Sequence, residues 1–107
     1  MSEDMETILN KVKKIQGIVH DEFDNTIQLW INAAKLDLIN VGIVNTIVNS
    51  SDALIETAII TYVLSFLDVV NSELYANSYA LQKDTLRHLQ SYINGDSNGI
   101  YRDYLSC

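Results

Sequence analysis

Apolar residues recur at steps of three and four through most of this chain, the spacing of a buried helical face. Residues 3–16 place Met5, Ile8, Val12 and Ile15 on one such face. Lys11, Lys13 and Lys14 sit toward its end, as the helix dipole prefers, and Gly17 supplies a stop. A second helix is predicted over residues 21–41. Its opening carboxylate, Asp21, can accept from the Asp24 N–H, and Phe23, Ile27, Trp30, Ile31, Ala34 and Leu38 follow at helical spacing before Gly42. A third runs over 51–71, capped by Ser51 or Asp52. A fourth runs over 78–94, with Leu81, Thr85, Leu89 and Tyr92 on one line and Tyr79, Leu86 and Ile93 beside it. Residues 43–49 are β-branched and alternate loosely, but a lone strand has nothing to pair with, so a loop is expected there. The expected fold is all-α: a small bundle of four helices with a flexible C-terminal tail. Residues 1–94 form the helical domain and residues 95–107 the tail.

The third helix is the informative one. Its polar minority, Thr57, Thr61, Ser65 and Asp68, falls at steps of four, four and three and makes one narrow stripe. Nearly everything else between Leu54 and Val70 is apolar. A helix apolar over most of its girth must be surrounded by protein, and a few short helices cover only part of it. The remainder would be an exposed apolar patch, the usual mark of an interface. Self-association is therefore expected, with Trp30, Tyr62 and Phe66 as candidate subunit-interface residues. Trp30 lies on the apolar line of its own helix, so core and interface both remain open for it. In the tail, Ile100, Tyr101, Tyr104 and Leu105 lie outside any core the helices can build, and an aromatic pair there suits docking to a partner.

Composition narrows the function classes. Seven basic against fourteen acidic residues leave a net charge of -7, which argues against tight binding of duplex DNA through its phosphates. The first six residues lack the basic and apolar regions of a secretory signal. The longest apolar stretch, 58–70, is interrupted by polar residues and too short for the ~20 residues a bilayer needs. A soluble protein with no membrane association is expected. The single cysteine, Cys107, makes no internal disulfide, which fits a reducing origin. Proline is absent, in keeping with a mostly helical chain.

Candidate chemistry is sparse. His20, Asp21, Glu22 and Asp24 resemble a metal cluster in composition, but a zinc site needs three or four convergent ligands. A solvated turn with a helix cap is the simpler reading. No serine sits in a glycine-flanked elbow, and the four glycines make no phosphate cradle. The expectation is no enzyme, no catalytic residue, no metal and no cofactor. Lys11, Lys13 and Lys14 read more simply as a solvated helix face than as a nucleic-acid contact.

With the helices placed, the chain resembles the head–tail connector (head-completion adaptor) proteins of tailed bacteriophages. The resemblance begins with a short first helix ending near Val12-Lys13-Lys14-Ile15. It continues through His20-Asp21-Glu22-Phe23-Asp24 into Ile27-Gln28-Leu29-Trp30-Ile31-Asn32-Ala33-Ala34-Lys35, and then Val41-Gly42-Ile43. The cap Ser51-Asp52-Ala53-Leu54, the helix Ala58-Ile59-Ile60-Thr61-Tyr62-Val63, and Tyr79, Leu81, Lys83, Leu86, Leu89 and Tyr92 complete it over about residues 5–94. The resemblance implies a structural virion protein, assembled in the bacterial host cytoplasm and located at the head–tail interface. Such proteins form a ring with copies of themselves, commonly a dodecamer, below the portal protein. They extend the DNA exit channel and carry the next head-completion (stopper) or tail protein. DNA passes through the channel without sequence-specific binding. The resemblance also implies that the C-terminal segment docks on the portal. An alternative from the residues alone is a small cytoplasmic helical module that binds one partner protein.

Overall fold

The computed structural model describes residues 7–94, and among them the chain forms six helices and no strand. Four are long: α1 (Ile8–Gln16), α2 (Asp24–Asn40), α4 (Ala53–Leu67) and α5 (Ser72–Leu86). Two are short: α3 (Asn45–Val48) and α6 (Gln90–Asn94). The all-α bundle is as the periodicity predicts, with several boundaries moved by local chemistry.

Helix α1 starts at Ile8 rather than residue 3. Thr7 is extended, and its hydroxyl accepts from the Asn10 N–H at 3.1 Å, a side-chain cap. Its end is as predicted. Gly17 takes φ 71° and Ile18 N–H donates back to the Lys13 carbonyl at 2.9 Å, closing the last turn through a left-handed residue. Asp21 is not the side-chain cap of α2. Its backbone carbonyl receives the Asp24 N–H, while its carboxylate is taken by Lys13 Nζ at 2.9 Å. A tertiary ion pair has won over the local cap.

The expected loop at 43–49 contains the single turn α3. Val44 stays extended, and its N–H finds the Tyr92 carbonyl at 2.9 Å; Ile43 and Val48 plug the base of the core. Asp52, rather than Ser51, caps α4, its carboxylate accepting from Leu54 N–H and Ile55 N–H. Helix α4 stops at Leu67, not at 71. Asp68 leaves helical geometry and its carboxylate accepts from Asn71 N–H at 3.1 Å, so the side chain builds the turn into α5. Helix α5 accordingly begins at Ser72, six residues before the predicted start. Past Leu86 the chain tightens, with His88 N–H on the Thr85 carbonyl and Leu89 N–H on the Leu86 carbonyl, before α6 sets off. The predicted fourth helix is therefore two elements. Its expected line through Leu81 and Thr85 faces solvent, while Tyr79 and Leu86 are buried.

Helix α4 is central, packed by α1, α2 and α5. Ile55, Ala58, Ile59, Val63 and Leu64 meet Val12 of α1 and Ile27, Ile31, Ala34 and Leu38 of α2 in one dry core. Each of the valine, leucine and isoleucine side chains contributes about 1.5–3 kcal/mol on full burial. The polar stripe of α4 is not a solvent face throughout. Thr57, Thr61 and Ser65 donate their hydroxyls to the Ala53, Thr57 and Tyr62 carbonyls of their own helix. With its hydroxyl satisfied, Thr61 is buried at 8% exposure. The chain thus covers more of α4 than its composition predicts. Exposure persists at Leu54 (53%) and Phe66 (50%).

Candidate interaction surfaces

Trp30, Tyr62 and Phe66 are brought together by α2 and α4. The Trp30 and Phe66 rings stack with centroids 5.5 Å apart, and Tyr62 lies tilted against Phe66 at 5.2 Å. Tyr62 then meets the edge of Tyr79 on α5 at 5.1 Å. Four rings from three helices make a continuous strip, in the offset and edge-on arrangements that aromatic quadrupoles favour. Only Tyr79 is buried; Trp30 and Tyr62 are half-buried and Phe66 is half open to solvent.

A polar clasp closes one end of the strip. Tyr79 Oη donates to Asp37 Oδ2 at 2.6 Å, Lys83 Nζ donates to the same oxygen at 3.0 Å, and the ammonium lies 5.2 Å from the Tyr79 ring centre. Burial alone would raise the Asp37 carboxyl, but the hydrogen bonds from Tyr79 and Lys83 outweigh it and hold it below its ordinary value. Burial, followed by the bond to Asp37, pushes the Tyr79 phenol well above its usual range. The residue spacing does not announce this clasp. Asp37 lies two helical turns beyond Trp30, on the same side of α2, and that is the one sequence signal that could have pointed to it.

A second apolar surface lies at one end of the bundle. Gln16 Nε2 donates to Asp68 Oδ2 at 3.3 Å, so the α1–α2 and α4–α5 connections share that end. Val19 is 93% exposed and Val70 91%, and Phe23, Val69 and Leu74 are exposed as well. The acidic turn there is organised by Lys13, whose ammonium sits 2.9 Å from Asp21 and 2.8 Å from Asp24. Its bonds to Asp24 and Asp21 raise the Lys13 ammonium above its ordinary value, and Lys13 in turn lowers Asp21. His20 is turned against the Phe23 ring instead. Among the described residues no three His, Cys, Asp or Glu side chains gather as metal ligands. Lys11 pairs with Glu56 across α1 and α4 at 2.6 Å. An open groove of about 380 Å³ near that pair runs between α1, α2 and the α3–α4 connection, with a largely polar lining that includes Gln28, Lys35 and Ser50.

The third feature is the anchorage of α6. Tyr92 Oη donates to Asp52 Oδ2 at 2.6 Å while Oδ1 of the same carboxylate caps α4. The tail candidates Ile100, Tyr101, Tyr104 and Leu105 lie outside the described residues. No helix among the described residues is long and apolar enough to cross a membrane.

The family model described as "Phage connector protein" matches residues 8–94, nearly the whole helical body. The chain belongs to the phage connector family, a structural family whose members serve at the phage head–tail connection. No curated protein and no solved structure matches it.

Proposed function

We propose that this chain is the adaptor subunit that forms a ring below the portal protein, extends the DNA exit channel and carries the next head-completion or tail protein. The observation that carries this reading is the strip of Trp30, Phe66 and Tyr62, a partly exposed aromatic surface, most open at Phe66, on the flank of a body that already has a dry core. Such a surface needs a partner. In a ring it is one half of a heterologous contact between copies, which closes when the rotation between neighbours permits. The apolar end formed by Val19, Phe23, Val69 and Val70 then supplies a contact along the ring axis. Residues 100–105 supply docking to the portal.

The acidic balance favours a conduit. Phosphate neutralisation would hold DNA in place, whereas a net charge of -7 per subunit lets it slide. Repetition of that charge around a ring is repulsive, so assembly depends on the apolar contacts and on a template.

The test is native mass spectrometry of the chain mixed with the portal protein of its phage. A defined multiple of the chain bound to portal is expected. Phe66→Asp, at a half-exposed position, is expected to lower the bound multiple to one or none while leaving helix content unchanged. A chain that never binds portal would instead be a small protein-binding module, and unchanged stoichiometry in Phe66→Asp would remove the aromatic strip from the subunit contact.

A further inference from the structure

Two helix faces carry leucines turned to solvent, one on α2 and one on α5. On α2, Leu29 and Leu36 lie a heptad apart with Asn32 between them; on α5, Leu74 and Leu81 lie a heptad apart with Asn77 between them. The four leucines are 62–71% exposed and both asparagines are exposed. At about 100° per residue, each row falls on the side of its helix opposite the buried one. That buried side carries Ile27, Ile31 and Leu38 on α2, and Tyr79 and Leu86 on α5. Both helices turn it to α4, so the two rows point away from the body and do not meet within one copy.

An exposed leucine row with an asparagine at its centre is suited to a helix pair, in which leucines pack and the amide fixes register. The rows share one pattern, Leu-x-x-Asn-x-x-x-Leu. Laid together they match leucine with leucine and asparagine with asparagine, whichever way the helices run. Charge decides the direction. Lys35 borders Leu36 on one flank of the α2 row, and Glu73 borders Leu74 on the same flank of the α5 row. Neither has an ion-pair partner among the described residues. Helices packed face to face bring like-sided flanks together only when they run antiparallel. Leu36 then lies against Leu74 and Lys35 beside Glu73, whereas parallel packing leaves both charges unmet. The rest of the α2 face, Asn25, Ala33 and Asn40, is uncharged. In a chain of net charge -7 this spares a second copy the repulsion of facing carboxylates. Asp84, at the far end of the α5 row, is already paired with Arg87 at 2.8 Å.

We propose that the row Leu29, Asn32 and Leu36 of one copy packs antiparallel on the row Leu74, Asn77 and Leu81 of a second copy, with Lys35 paired to Glu73. One copy uses α2 and the other α5, so the contact is head-to-tail and each copy keeps a free row for a further neighbour. Trp30 follows Leu29, and the α2 row therefore adjoins the aromatic strip. The inference rests on the ring reading, to which it gives both halves of the contact between copies.

The experiment is thiol cross-linking of full-length chains carrying Cys107→Ser. Chains with Asn32→Cys and chains with Asn77→Cys are oxidised singly and mixed, with and without the portal protein. The mixture is expected to link about tenfold faster than either chain by itself. Leu81→Glu in the second chain, at a position open to solvent, is expected to slow linking about tenfold. Lys35→Glu in the first chain should slow it about threefold, and Glu73→Lys in the second should restore it. A mixture that links no faster than the single chains overturns the head-to-tail contact, and failure of the charge exchange to restore linking overturns the antiparallel register. Linking that portal abolishes would assign the rows to the portal and overturn the contact too. Portal binding in a defined multiple without linking overturns this contact and leaves the ring reading standing; linking without portal binding does the reverse.

Discussion

The seam between α2 and α4 and the arm formed by α5 and α6 are held by different physics. The seam is aliphatic and dry: Ile27, Ile31, Leu38, Ile55, Ile59 and Val63 are essentially inaccessible to solvent, and among them there is no polar atom to satisfy. The arm packs on α4 through Tyr79 and Leu86, with Tyr75, Leu89 and Tyr92 partly buried against the core, and two of its tyrosines also reach carboxylates on the rest of the body, Tyr79 to Asp37 and Tyr92 to Asp52. Aliphatic burial is large and indifferent to pH. A phenol–carboxylate bond is smaller and depends on both protonation states. The difference teaches that the seam is held by burial alone, while the arm adds to its packing on α4 contacts that respond to pH.

The sharpest way to break this contrast is Ile59→Ala. Removal of a fully buried aliphatic side chain is expected to cost about 2–5 kcal/mol, a large part of the stability of a domain this size. Urea unfolding would show it as a lower midpoint with an unchanged slope. A loss well under this range would mean that the seam is not the principal stabiliser. Tyr79→Phe should cost less, about 1 kcal/mol, because Asp37 is partly open to solvent and keeps Lys83 as a donor. If Tyr79→Phe matched Ile59→Ala, the arm would be as structural as the seam and the distinction would collapse.

The two regions also differ in how far they can be read from the residue order. The seam follows from spacing alone: Ile27, Ile31, Ala34 and Leu38 recur as a helix requires, and all four are buried. The arm does not. The start of α5 is set by the Asp68 turn rather than by an apolar stripe, and its first turns expose Glu73 and Leu74. The meeting of Asp37, Tyr79 and Lys83 spans 42 and 46 residues, a distance no local pattern encodes. Asp21 shows the same limit at short range, since Lys13 takes its carboxylate away from the cap. Thr61 reads as polar by residue type and is buried because its own helix satisfies it. The strip was half legible: Trp30, Tyr62 and Phe66 do come together, but nothing in the spacing indicates that Tyr79 continues it.

The smallest expected effect bears on the arm alone. The bond from Tyr92 to Asp52, followed by burial, pushes the Tyr92 phenol from 10.0 up to about 12. A raised phenol means that the folded arm favours neutral tyrosine. Its stabilisation is full below the unfolded value near 10.0 and disappears as pH rises through about 12. On the acid side Asp52 works the other way. Burial would raise it, but the bonds from Tyr92, Ile55 and Leu54 keep it below 3.8, so its contribution is present above that value and is lost as pH falls through the depressed one. Tyr92→Phe should therefore cost about 0.5–1.5 kcal/mol near neutral pH, and less at about pH 11, where wild type has begun to lose the same bond. Denaturant midpoints of the pair at about pH 8 and about pH 11 check this, and a tyrosine titration should show one late-ionising phenol missing from the variant. A cost that stays constant between the two pH values would assign the effect to packing of the ring and would make the arm a fixed part of the body.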